Sequence, residues 1–97
     1  MTQLLAIDPG SDSGGSTTGL VLLEYSDTQA ARLVWSRALE GGLSAFVTLV
    51  WSTFTKDERQ NLEVAVEDFV PRNGVPVKSY EPAKIVGATV ALFSNVS

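Results

Sequence analysis

Two carboxylates stand where apolar runs give way to polar segments. Asp8 follows Leu4-Leu5-Ala6-Ile7 and precedes Pro9-Gly10, and Glu67 follows Val64-Ala65-Val66 and precedes Asp68. A carboxylate at the end of a buried strand is anchored by the core behind it and reaches solvent in front. If two such strands are parallel neighbours, both carboxylates lie at one sheet edge, where open α/β sheets bind their ligands. Adjacent anions repel, and a bound divalent cation supplies the countercharge. The 97-residue chain has no histidine and no cysteine. That excludes Ser-His and Cys-His catalysis, disulfides and thiolate metal sites. A metal held here is held by oxygen, which selects Mg²⁺ or Mn²⁺. Paired ions of this kind, about 3.5–4 Å apart, stabilise the attacking and leaving oxygens of a phosphodiester.

The residues after Asp8 suit the same chemistry. Pro9 has a fixed φ, and Gly10 lets a phosphate backbone approach closely. Asp8 equally suits a plain turn-initiating aspartate before Pro-Gly, and Glu67 a strand-end surface carboxylate. Asp68 is an alternative ligand to Glu67, because successive strand side chains point to opposite faces. Glu67 is preferred because it continues the face of Glu63 and Ala65.

The elements that must position these groups follow from periodicity. Leu4–Ile7 reads as a short buried strand, and 11–18 as a polar, Gly-rich loop. The run from Gly19 to Tyr25 reads as a second strand, which makes a hairpin with the first. Ala31 to Leu39 alternates, with Leu33, Trp35 and Arg37 on one face and Val34, Ser36 and Ala38 on the other, so a third antiparallel strand is expected. After Gly41-Gly42, the spacing of Leu43, Phe46, Val47, Val50 and Phe54 predicts one helix over about 43–59. Leu62, Val64 and Val66 alternate with Glu63, Ala65 and Glu67, which predicts a fourth strand. A helical crossover makes that strand parallel to one of the first three. The stretch from Pro71 to Pro82 reads as a loop. A second helix is expected from about Pro82, with Ile85, Val86, Thr89, Val90 and Phe93 as its apolar stripe. The predicted order is β-β-β-α-β-α in a single α/β domain over 1–97, a mixed sheet with helices packed on it.

Net charge is −4, but it is unevenly spread. Residues 1–70 carry a balance of −6. Residues 71–97 carry Arg72, Lys78 and Lys84 against Glu81 alone, a balance of +2. A local basic patch matters more to a phosphate backbone than the total does. No apolar run approaches the ~18 residues of a membrane span. Met1-Thr2-Gln3 lacks the basic flank of a signal peptide. A soluble, cytoplasmic chain with no membrane partner is expected.

Leu5-Ala6-Ile7-Asp8-Pro9-Gly10, a polar turn, and then Thr18-Gly19-Leu20-Val21 resembles the opening of the RuvC-type Holliday junction resolvases. Val64-Ala65-Val66-Glu67-Asp68-Phe69 is similar to their second motif, a strand that ends on a catalytic glutamate. Pro71-Arg72-Asn73-Gly74 and Ile85-Val86-Gly87-Ala88 also look similar, especially to phage-encoded relatives. The resemblance implies a ribonuclease-H-like sheet of strand order 3-2-1-4-5, with Asp8 and Glu67 as catalytic metal ligands. It implies DNA contacts from Gly10, Phe69, Arg72, Lys78 and Lys84, branched or duplex DNA as partner, and a bacterial or phage-infected cell as setting. The family continues with a fifth strand and a last helix that carries two more acidic ligands. Here the only acidic residue after Asp68 is Glu81. The fifth strand and last helix are therefore expected to be missing. The fourth strand is then expected at the sheet edge, unless a second copy or another chain pairs with it.

Three functional readings result. The first is an Mg²⁺-dependent, structure-selective endonuclease acting on branched DNA, or the N-terminal part of one. The second is a non-catalytic nucleic-acid-binding or assembly module on the same fold. The third is nucleotide binding of the actin and sugar-kinase type, with Gly14-Gly15-Ser16-Thr17-Thr18-Gly19 as a phosphate-holding hairpin.

Overall fold

The computed structural model describes residues 2–10, 17–67 and 81–97. Strand β1 (Thr2–Asp8) and strand β2 (Thr18–Tyr25) form the expected hairpin, in register from Thr2 opposite Tyr25 to Asp8 opposite Gly19. Strand β3 (Arg32–Leu39) pairs antiparallel with β2. Helix α1 (Gly42–Thr53) and helix α2 (Lys56–Asn61) lead to strand β4 (Glu63–Val66), which pairs parallel with β1. Helix α3 (Glu81–Leu92) leads to strand β5 (Asn95–Val96), parallel to β4. The result is an α/β fold whose five-stranded mixed sheet has the order β3-β2-β1-β4-β5.

Strand alternation divides the sheet into two faces. Leu5 and Ile7 of β1, Leu20 and Leu22 of β2 and Val64 of β4 are buried in one cluster with Phe46, Leu49 and Val50 of α1 and Ile85 of α3. Phe54 and Phe93 close this core, with an edge-to-face ring contact at 6.1 Å. The opposite face carries Leu4, Ala6, Val21, Leu23 and Ala65. Among the described residues it receives no helix. No described helix is long and apolar enough to cross a membrane.

The single helix expected over about 43–59 is two helices. At Phe54 the backbone turns extended, and α2 starts with a capping box. The Glu58 N–H donates to the Thr55 hydroxyl oxygen at 3.2 Å, and the Thr55 N–H donates to the Glu58 carboxylate at 3.0 Å. Two backbone donors freed by the break are thereby satisfied. Arg59, only 8% exposed, secures the corner. Its guanidinium donates to the Phe54 carbonyl at 2.9 Å and lies 4.2 Å from the centre of the Trp51 ring. The Thr55-x-x-Glu58 spacing was visible in the sequence, and the apolar periodicity ran across it.

Three further expectations change. The fifth strand is present. It is short, yet it pairs Asn95 with Glu63 and Val96 with Val64, and the Val66 N–H donates to the Ser97 carbonyl at 3.3 Å. The edge of β4 is thus covered over this stretch without a second chain. The simple alternation of β3 fails because its register with β2 shifts between Leu22 and Leu23. Trp35 therefore turns to the core beside Phe54, while Leu33 is 58% exposed. The stripe of α3 is narrower than expected. Ile85, Thr89 and Phe93 are buried, but Val90 is 62% exposed.

One bond ties β4 to the hairpin on the open face. The Tyr25 hydroxyl donates to the Glu63 carboxylate at 2.6 Å, reaching across β1 from β2. That bond raises the Tyr25 pKa above its ordinary 10.0, with smaller contributions from desolvation and from the negative charges of Glu63 and Asp27. Its stabilising contribution is present below the ordinary tyrosine value and is lost as pH rises through the raised one. In an alkaline absorbance titration, with Tyr25→Phe identifying the band, Glu63→Gln should bring Tyr25 back toward 10.0. An unchanged titration would show that the bond does not form in solution. A second expectation concerns Thr18, which is fully buried and whose hydroxyl has no hydrogen-bond partner among the described residues. Thr18→Val removes an unsatisfied polar group without changing shape, and urea denaturation should show a gain of about 1 kcal/mol.

Candidate metal centre

The β1–β4 pairing decides where the two carboxylates meet. Leu4, Leu5, Ala6 and Ile7 stand opposite Glu63, Val64, Ala65 and Val66. The ladder extends one bond further, from the Glu67 N–H to the Ile7 carbonyl at 3.1 Å. The next step along both chains brings Asp8 and Glu67 side by side. Each lies two residues past an alanine of the open face, so alternation sends both away from the core. Neighbouring strands are ~4.8 Å apart, close enough for two carboxylates to share one cation with oxygen–metal distances of ~2.0–2.1 Å.

Both side chains are exposed. They end a shallow trough of about 530 Å³ whose lining includes Ala6, Asp8, Gly19, Val21, Ala65 and Glu67. The small side chains make the trough. Gly19 stands directly across from Asp8, and a Cβ there would meet the Asp8 Cβ at 3.6 Å.

The turn behind Asp8 orients its carboxylate. The Gly10 N–H donates to Asp8 Oδ1 at 3.0 Å, the Asx-turn contact of a turn-initiating aspartate. It also leaves Oδ2 for a ligand, as an outer hydrogen bond does for a metal-binding carboxylate. Gly10 has φ +90°, and a Cβ on it would collide with the Thr17 carbonyl oxygen. Glycine is required at this position by both the backbone angle and the close approach of Thr17.

The structure brings together Asp8, Glu67 and Gly10. Lys84 is exposed and lies near the start of α3. The end of α3 lies by α2, where the Ser94 N–H donates to the Arg59 carbonyl at 3.3 Å. The start of α3, ~18 Å away along twelve residues, therefore points back toward the Asp8 edge. It does so on the helix-covered side of the sheet, whereas Asp8 and Glu67 emerge on the other. Asp68, Phe69, Arg72 and Lys78 lie outside the described residues, as do Gly14, Gly15 and Ser16 of the stretch proposed to hold phosphate, whereas Thr18 and Gly19 belong to β2. Among the described residues, no group of three or more acidic side chains converges as a metal site.

Two oxygen-donor residues fit Mg²⁺, which commonly takes one or two carboxylates and completes its shell with water and substrate oxygens. Sequence reasoning missed the role of Glu63. It lies on the same face as Glu67, but its bond to Tyr25 depends on a cross-sheet register that no local pattern reveals.

Comparison of the chain with protein-family models, with curated proteins and with solved structures finds no match.

The turn provides a test of how Asp8 is held. Gly10→Ala forces a side chain into the left-handed region and should cost about 2 kcal/mol or more in urea denaturation. A neutral substitution would mean that the turn does not hold Asp8 as described.

Proposed function

We propose that this chain is a ribonuclease-H-like, Mg²⁺- or Mn²⁺-dependent endonuclease of branched DNA, or a part of one, related to the RuvC-type resolvases. The supporting observation is the adjacency of Asp8 and Glu67 at the ends of parallel neighbours, within the sheet order β3-β2-β1-β4-β5. The sequence resemblance implies this order and this pair. When bound, the cation would supply positive charge to the phosphate and to the attacking water. The chain's own residues then have separate tasks. Asp8 and Glu67 would hold the cation on the open face. The Gly10 N–H fixes the orientation of the Asp8 carboxylate. The Tyr25–Glu63 bond holds β4 in the register that puts Glu67 beside Asp8. Lys84, Arg72 and Lys78 are candidates for phosphate contacts, with Phe69 as a candidate junction contact and Asp68 as the alternative to Glu67.

Mn²⁺ titration provides the first test. Paramagnetic broadening should centre on the amides of Asp8 and Glu67, and Asp8→Asn or Glu67→Gln should weaken it at least tenfold. Asp8→Asn should also abolish Mg²⁺-dependent cleavage of a four-way junction. Equal cutting by wild type and variant would overturn the assignment.

A second reading has one specific observation in its favour. Residues 71–97 carry a charge balance of +2 against −6 over residues 1–70, a local basic excess that suits phosphate contacts without a metal. A non-catalytic nucleic-acid-binding or assembly module would bind junction or duplex DNA without divalent metal. Its affinity would fall steeply with salt as phosphate contacts release counterions. Binding that ignores salt would count against this reading.

A further inference from the structure

We draw no further inference here: the strongest candidate, the uncovered sheet face carrying Leu4, Val21, Leu23 and the exposed Leu33 beside the Asp8–Glu67 trough, carries nothing because no described residue shows what packs on it and the trough belongs to the site already described.

Discussion

Everything about the candidate site depends on the parallel pairing of β1 with β4. These strands are far apart in sequence, and their side-by-side placement needs a crossover between opposite sheet edges. The register matters as much as the pairing. A slip of one residue in β4 would turn Glu67 toward the helices and expose Val64, because strand side chains alternate. Two sets of contacts oppose that slip from opposite faces. On one face, Leu5, Ile7 and Val64 are buried against α1 and α3. On the other, Glu63 accepts the Tyr25 hydroxyl. The Glu67 N–H bond to the Ile7 carbonyl carries the register one residue beyond the strand.

The crossover that permits this pairing is bent. A straight helix from residue 43 to 59 would be ~25 Å long and would overshoot a four-residue strand. The chain instead breaks at Phe54, and its extended backbone seats that ring between Trp35 and Phe93. Arg59 then spans the corner, stacked on Trp51 and bonded to the Phe54 carbonyl. The same corner receives the end of α3. The Ser94 N–H donates to the Arg59 carbonyl, and the Asn95 side chain donates to the Gln60 carbonyl at 2.9 Å. The α2 corner therefore aligns the entry to β4 and the entry to β5, which is why both strands run parallel to β1.

The open face has small side chains where it borders the candidate metal centre. Ala6, Ala65 and Gly19 leave the sheet backbone close to solvent next to two carboxylates. Bulky residues there would fill the trough and crowd Asp8. The carboxylates themselves were legible early, because each ends an apolar run and no histidine or cysteine competes for a metal. Their partners were less legible. The Asp8–Gly10 contact follows from local Asp-Pro-Gly turn chemistry. The Tyr25–Glu63 bond joins residues 38 apart, and neither residue carries a local signal of the other.

By itself, the sequence determined the α/β class, the β1–β2 hairpin, a crossover after Gly41-Gly42 and the placement of Asp8 and Glu67 at strand ends. These are consequences of local periodicity and turn chemistry, which act over a few residues. The tertiary structure decided what local patterns cannot encode. It set the break at Phe54, where packing of one ring and a capping box outweighed a continuous apolar stripe. It shifted the register of β3 so that Trp35, and not Leu33, reaches the core. It recruited Asn95 and Val96 as a fifth strand, because β4 offered an unpaired edge that backbone hydrogen bonds could satisfy. Finally, it chose the face on which the two carboxylates emerge, since only long-range pairing of β1 with β4 can place Asp8 and Glu67 on the same side.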